Sequence, residues 1–363
     1  MKKNGAKYIT VAKTLKSEIL SGKYEAHERF PSEGALVRRF CVSRPTVERA
    51  LRELKAEGLL ESKAGSGSFL TFTARNATGA IGIIAPDYKK IDFFSRLCDA
   101  IASEARNCGY SILLGDSSAP EATADRGNWA IRLADEYAKQ RVAGVLLEPV
   151  DLAPDSREST KKILATLTGK GIPVILLDRD YLPMPSRSHY DLIGIDNFHA
   201  GYRIAQHLLE RGAKRICFAT HPNYANTIRA RIHGVAQAVL DAGLAFGRNS
   251  IIEAEPDAMA VYKKLMRGKN APDAFVCRND HTAAKLIQTL TALGFSIPDE
   301  VRVTGFDDGE IARLLTPALT TIRQPVKTLA KMSVASLVER IRNPSLAPRA
   351  ILLDAELVIR AST

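Results

Sequence analysis

From Gly79 onward the sequence alternates short apolar runs with helical patterns, and that rhythm leaves few folds open. The runs are "GAIGIIAP", "YSILLGD", "VAGVLLEP", "IPVILLD", "DLIGID", "RICFAT", "AFVCRN" and "VRVTGFDD". Between them, segments such as 92–108, 125–139, 158–170, 198–211, 228–242 and 280–293 keep helical spacing. Strands that are apolar nearly throughout are buried on both faces, the pattern of parallel sheets covered by helices. The stretch is too long for one such sheet, so the spacing predicts two similar α/β lobes. They part near 178–192, where "DRDYLPMPSRSHYD" reads as loop.

The amino-terminal part has a different grammar. Tyr8, Val11, Ala12, Leu15 and Ile19 keep helical spacing until Gly22, and Ser32 can cap a second short helix containing Ala35, Leu36, Val37 and Phe40. After the turn "CVS", Ser43 is the expected N-cap of a third helix, with Arg44, Pro45 and Thr46 in its first turn. Proline is tolerated there because the first backbone N–H groups have no intrahelical partner. Val47, Ala50, Leu51 and Leu54 form its buried stripe, leaving Arg44, Thr46, Glu48, Arg49, Arg52 and Lys55 on the opposite face. The helix stops at Gly58, and "LLESKAGSGSFLTF" reads as a β-hairpin around a Gly/Ser tip. Three helices and a hairpin make a winged helix-turn-helix over 1–72, followed by a linker at 73–79, "TARNATG", and a body over 80–363.

Charge sorts the two parts by partner. Of a net charge of +11, residues 1–75 hold 15 Lys+Arg against 8 Asp+Glu, while 76–363 hold 36 against 32. A fifth of the chain thus carries +7, which points to a polyanion-binding module on a nearly balanced body. The five cysteines are scattered, with no C-x-x-C, and the seven histidines form no H-x-x-x-H pair, so neither a disulfide frame nor a metal site is expected. The start has no uninterrupted apolar stretch and no later run approaches a membrane span, so a cytoplasmic address without membrane contact is expected. Trp129, within a helical pattern, is expected to pack in a core or interface. Phosphate loop, nucleophile elbow and glycine-rich dinucleotide fingerprint are all missing from the sequence, so no catalytic residue and no cofactor are expected.

The stretch "RFPSEGALVRRFCVSRPTVERALRELKAEGLLESKAGSGSFL" (29–70) resembles the GntR-type winged-helix transcription regulators. The resemblance implies that Arg44 and Thr46 touch double-stranded operator DNA, with Ser32 at a phosphate and the wing at Gly65, Ser66 and Gly67 near the minor groove. Ser43, Pro45 and Arg49 complete the expected DNA-facing set. Helix N-termini and hydroxyls suit phosphates, and arginine can grip guanine bidentately. Two positions depart from the pattern: Gly34 stands where arginine is common, and Glu48 replaces another arginine of the recognition helix. The usual operator sequence of that family is therefore not carried over.

The body resembles the effector-binding part of lactose-repressor-like regulators, a fold shared with periplasmic sugar-binding proteins. The motifs are "IGIIAP" followed by Phe93-Phe94, "DRD" at 178–180, "IDNFHAG", "RARIHG", "CRNDHTA", "GFSIPDEVRVTGFDD", "PALTTIRQP" and "ELVIRAST". That family's own DNA head is replaced by the GntR-type one, a combination found in arabinose-responsive repressors. The lobes are then expected to comprise roughly 80–190 with 325–353, and 191–324 with 354–363.

Ligands of open α/β sheets collect beyond the carboxyl ends of the strands. Asp178-Arg179, Asn279-Asp280 and Asp307-Asp308 each follow a predicted strand, so polar groups are expected to converge there. Sugar hydroxyls both donate and accept, which suits Asp, Asn and Arg, while an aromatic ring covers the apolar sugar face. The resemblance implies that Phe93 and Phe94 supply that ring, and that Arg231, Asn279, Asp307 and Gln324 supply hydrogen bonds, with Asp178 and Arg179 at the same cleft. Asp196-Asn197 is expected to cap the following helix rather than touch ligand. The expected function is a homodimeric transcriptional regulator, a repressor of carbohydrate-use genes released by a small sugar. Activation, a purine effector, or a sugar-modifying enzyme with a DNA-binding head are the rival readings.

Overall fold

The computed structural model describes every residue except 1–3, 21–23, 25–29, 57–58, 64–66, 71–77, 87–91, 116–124, 151–154 and 223. The head comprises α1 (Asn4–Leu20), α2 (Glu33–Phe40), α3 (Arg44–Ala56) and an antiparallel hairpin of β1 (Leu60–Lys63) with β2 (Gly67–Leu70). Val47, Ala50, Leu51 and Leu54 of α3 are buried against Val11, Leu15, Ile19 and Leu36, which gives this small unit a core of its own. Ser32 is the N-cap of α2, its Oγ accepting from the Ala35 N–H.

Two head expectations need comment. Thr46 is buried (9% exposed), with its hydroxyl 2.9 Å from Ser43 Oγ, so it does not lie on the exposed face with the arginines. The reason is helical: position 46 stands one turn before Ala50, on the edge of the apolar stripe. Of the predicted wing tip, Gly65 and Ser66 lie outside the described residues and Gly67 opens β2. The linker 73–79 likewise lies outside them except for Thr78 and Gly79, which already belong to a strand.

All eight apolar runs of the body are strands. The first sheet is parallel throughout, with the order β13-β7-β6-β5-β3-β4. Its members are β3 (Thr78–Ile84), β4 (Ser111–Leu114), β5 (Val142–Leu147), β6 (Val174–Leu177), β7 (Asp191–Ile195) and β13 (Ala350–Leu353). The second sheet, also parallel, has the order β11-β10-β8-β9, from β8 (Ile216–Thr220), β9 (Ile251–Glu253), β10 (Ala274–Cys277) and β11 (Arg302–Thr304). A small antiparallel pair, β12 (Thr321–Arg323) with β14 (Glu356–Val358), lies where the chain passes between them.

The helices α4 (Asp92–Asn107), α5 (Arg126–Gln140), α6 (Ser156–Thr168) and α12 (Val326–Arg342) serve the first lobe. Those of the second are α7 (Asn197–Glu210), α8 (Asn226–Asp241), α9 (Met259–Met266), α10 (Asp280–Ala292) and α11 (Glu310–Leu314). Trp129 is buried in the core of α5 and α6 against the first sheet, as expected.

The boundary between lobes falls later than the sequence suggested. Residues 191–195 form β7 within the first sheet, Ile175 pairing with Asp191, so the loop 178–190 leaves that sheet and returns to it. Asp191 explains the return: its buried carboxylate accepts hydrogen bonds from Arg340 Nε, Arg340 Nη2 and the Arg349 N–H. The chain therefore crosses between lobes after β7, after β12 and between β13 and β14. Three adjacent strands of chain make a hinge region, the connection expected of lobes that move about a common axis.

Candidate functional site

The cleft is built from strand ends. Glu148 follows β5, Asp178 and Arg179 follow β6, Asn279 follows β10, and Asp307 lies beyond β11. Together with Phe93 and Phe94 from α4, Arg231 from α8 and Gln324 after β12, they line one cavity of about 580 Å³ including its open mouth. All eight side chains expected at an effector site line this cavity: Phe93, Phe94, Asp178, Arg179, Arg231, Asn279, Asp307 and Gln324.

Two backbone positions at the cleft are strained. Asp178 has φ +67° and Asp307 has φ +108°, both in the region where glycine is at ease. Such conformations cost about 1–3 kcal/mol each and persist where surrounding structure fixes them. At Asp307 the fixing groups are visible. Its N–H donates to the Ile322 carbonyl at 2.8 Å, and its own carbonyl accepts from Arg96 Nη2, reaching across from α4, at 3.0 Å.

Arg231 is the central cation. It is buried, its Nε donates to Asn197 Oδ1 at 2.8 Å and its Nη1 to the Arg278 carbonyl at 2.8 Å, and its guanidinium lies 3.4 Å from the Phe306 ring centroid. Burial lowers its pKa, while Asp307 and Asp178 pull the other way. The helix pair α7 and α8 makes this placement possible, because Cβ atoms at Gly201 and Gly234 would meet the backbone of Arg231 and Phe198 at 2.2 and 2.0 Å. Asp196 caps α7 as expected, accepting from the His199 N–H, while Asn197 fixes Arg231 from behind.

Across the cleft, Arg179 donates to Glu148 Oε1 at 2.8 Å, to the Pro149 carbonyl at 3.1 Å and to Asp178 Oδ2 at 2.9 Å. Asn279 caps α10 through Oδ1, and Asp307 Oδ1 accepts from Gln324 Nε2 at 2.8 Å. Burial pushes the Asp307 carboxyl up to about 6 against the opposing pull of Arg231 and the Gln324 hydrogen bond. Phe93 and Phe94 meet edge to face, with ring centroids 5.1 Å apart.

The hydrogen bonds left unused define what the cleft can hold. Among the described residues, Arg231 Nη2, Asn279 Nδ2, Gln324 Oε1, Asp178 Oδ1 and Asp307 Oδ2 have no hydrogen-bond partner. Two donors and three acceptors beside a pair of aromatic rings suit a compact, uncharged molecule rich in hydroxyls.

The other aspartates of the strand ends have structural work. Asp280 accepts from the Gly309 N–H at 2.8 Å and meets Thr321 Oγ1, and burial pushes its carboxyl up to about 8. Asp308 turns away from the cleft and receives Arg313, Arg323 and Arg360. Glu148, Ala225, Thr227, Ile228 and Arg278 also line the cavity without having been singled out in the sequence. For Glu148 a signal existed, a carboxylate ending an all-buried strand; Ala225, Thr227 and Ile228 carried none.

On the head, Arg44, Pro45, Glu48, Arg49 and Arg52 share an exposed surface, with Ser43 exposed beside them. Arg44 pairs with Glu33 at 3.0 Å while its side chain stays 77% exposed, a contact too weak to withhold it from another partner. Arg49 lies 4.0 Å over the Tyr8 ring, which orients it on the same surface.

Comparison with known proteins agrees with this division. Residues 7–70 match the model of bacterial regulatory proteins of the gntR family, and residues 205–363 match that of the periplasmic binding protein-like domain. The arabinose metabolism transcriptional repressor of Geobacillus stearothermophilus is 26% identical over 98% of this chain and 97% of its own length. The HTH-type transcriptional repressor PurR of Photobacterium profundum is 28% identical, covering 79% of this chain and 82% of that protein. Among solved structures, the transcriptional regulator CelR in complex with cellobiose shares the fold with a TM-score of 0.66 at 22% identity, over 89% of this chain and 92% of that one. A LacI family transcriptional regulator from Enterococcus faecium with bound ribose has a TM-score of 0.64 at 24% identity, over 78% and 98%. The chain thus joins a head that matches the gntR-type DNA-binding domain over 7–70 to a body that matches the periplasmic binding protein-like domain over 205–363, and it is a DNA-binding transcriptional regulator.

Proposed function

We propose that this regulator is a cytoplasmic, homodimeric repressor of carbohydrate-use genes, released from its operator by a small sugar. The observation that carries the reading is the set of unused donors and acceptors around Arg231, Asn279, Asp307 and Gln324, beside Phe93 and Phe94. The full-length likeness to an arabinose metabolism repressor supports both the sugar and the direction of control. The cleft binds and does not transform: it holds the effector between lobes, and closure changes the separation or tilt of two heads on two half-sites. A thermal-shift screen with pentoses, hexoses, uronates and nucleobases tests it, since any ligand of the native state raises the melting point. The ligand so found must weaken operator binding in fluorescence anisotropy; a hit among nucleobases alone would instead favour a purine effector.

The pH dependence of effector binding follows from Asp307. A sugar hydroxyl donating to its Oδ2 requires the carboxylate, whereas the empty site keeps a proton below about pH 6. Affinity should therefore be constant above pH 7 and fall by up to about tenfold per unit below pH 6. Calorimetric titrations from pH 5 to 8 check this, and Asp307→Asn should abolish the slope.

On the DNA side, Arg44→Ala should weaken operator binding by about 10- to 100-fold, the range of a lost bidentate base contact. Sedimentation should show an unchanged monomer–dimer equilibrium, because Arg44 is exposed on the head and its partner Glu33 lies on the same unit.

A further inference from the structure

We propose that the face of the first lobe opposite the cleft is a second DNA-contact surface, gripping the phosphate backbone that flanks the operator; this rests on the reading that the head holds operator DNA. In a parallel sheet all strands begin at one edge. The cleft groups Glu148, Asp178 and Arg179 follow the carboxyl ends of β5 and β6, so the opposite edge is where β3 starts, with Thr78 paired to Val142. The head's last strand ends at Leu70, and only seven residues join it to that edge. Fully extended they span at most about 25 Å. The operator is thus tethered near this face and not near the cleft.

The same face collects the carboxyl ends of α4, α5 and α6 together with exposed Arg106, Lys139, Arg141 and Lys170. Lys139, Arg141 and Lys170 share one groove whose lining contains a single carboxylate, Asp135. None of these three cations makes an ion pair or side-chain hydrogen bond with a described residue. A helix dipole accounts for a cation at each helix end. It does not account for Arg141, which follows Lys139 at the end of α5 and sits at φ +52°, a conformation easier for glycine or asparagine. The head carries +7 over residues 1–75, so this face and the head repel each other unless a polyanion lies between them. A duplex held by the head supplies that polyanion, with phosphates spaced along its length.

The test is a full-length variant with Lys139→Gln, Arg141→Asn and Lys170→Gln, asparagine being chosen because it tolerates the left-handed conformation. Operator affinity is measured against salt on two duplexes, one trimmed to the operator and one extended by about one helical turn on each side. On the extended duplex the slope of log K against log salt should shrink in magnitude by about 5, since the dimer loses three cations per subunit and each lost phosphate contact removes about 0.9. On the trimmed duplex slope and affinity should match the native protein, and effector affinity should not change. Native slopes on both duplexes, even with a lowered melting point, would mean that these cations serve only the helix ends. Equal weakening on both duplexes would mean that the face meets the head or a second copy. Either result overturns the proposal, and neither touches the reading of the head, which fails if the native protein does not bind the trimmed operator.

Discussion

Arg231→Ala should bind operator DNA within about twofold of the native protein yet require on the order of 100-fold more effector for release. A hydrogen bond to a charged group is worth about 1.5–3 kcal/mol, which converts to roughly 10- to 150-fold in affinity. Removing Arg231 takes away Nη2 as a donor to the ligand and also frees Asn197, whose Oδ1 it occupies at 2.8 Å. The loss extends to Asp307. Without the guanidinium, only the Gln324 hydrogen bond and Arg96 still oppose burial at that carboxyl, which then stays protonated to a higher pH and accepts sugar hydroxyls less well. The variant should accordingly show its pH-dependent loss of binding at a more alkaline position. Operator titration by anisotropy, with and without effector, checks the claim; release at the native effector concentration would remove Arg231 from the site.

The neighbouring pair Asp307 and Asp308 gives the second large effect, by contrast. Asp308→Ala should destabilise the protein by about 3–5 kcal/mol in urea denaturation, whereas Asp307→Asn should change stability little and weaken effector binding to a level that calorimetry still measures. Asp308 is buried, with its carboxylate shared by Arg323 at 2.7 Å, Arg313 at 3.2 Å and Arg360. Burial would raise its pKa, but hydrogen bonds from Arg323 and Arg360 hold it below the ordinary carboxylate value. Alanine there leaves three guanidinium groups converging with only Glu356, at 2.9 Å from Arg323, as a counter-charge, in the segment where β12 and the carboxyl-terminal strand meet. Asp307 has one fixed partner, Gln324, and its remaining oxygen lines the cleft. One residue apart along the chain, the same side chain serves as a support at Asp308 and lines the cleft at Asp307.

Much of this site was legible because strand ends and site residues coincide. The apolar runs before Asp178, Asn279 and Asp307 are strands, and parallel pairing brings their carboxyl ends to one edge. Arg231 and Gln324 were reached only through the family resemblance, since neither ends a predicted strand. What escaped did so for identifiable reasons. The loop 178–190 has a linker's composition, yet Asp191 is bound by Arg340 from about 150 residues away, a contact no local pattern carries. Thr46 looked exposed because a hydroxyl was counted as polar, while in the helix it closes a hydrogen bond with Ser43 and fills the edge of the stripe. The helix α12 was missed among the clear amphipathic patterns because Ser333 and Ser336 are buried along with Leu329, Val334 and Leu337.

The central claim is that occupancy of the cleft and DNA binding by the head share one free energy. It is tested most directly by measuring the coupling from both sides on the full-length protein: operator Kd with and without saturating effector, and effector Kd with and without saturating operator. Linkage requires the two ratios to be equal, and coupling of about 1–3 kcal/mol would make each roughly 5- to 150-fold. Equal ratios in that range are the predicted result. An effector that binds the cleft while operator Kd stays unchanged would contradict the account.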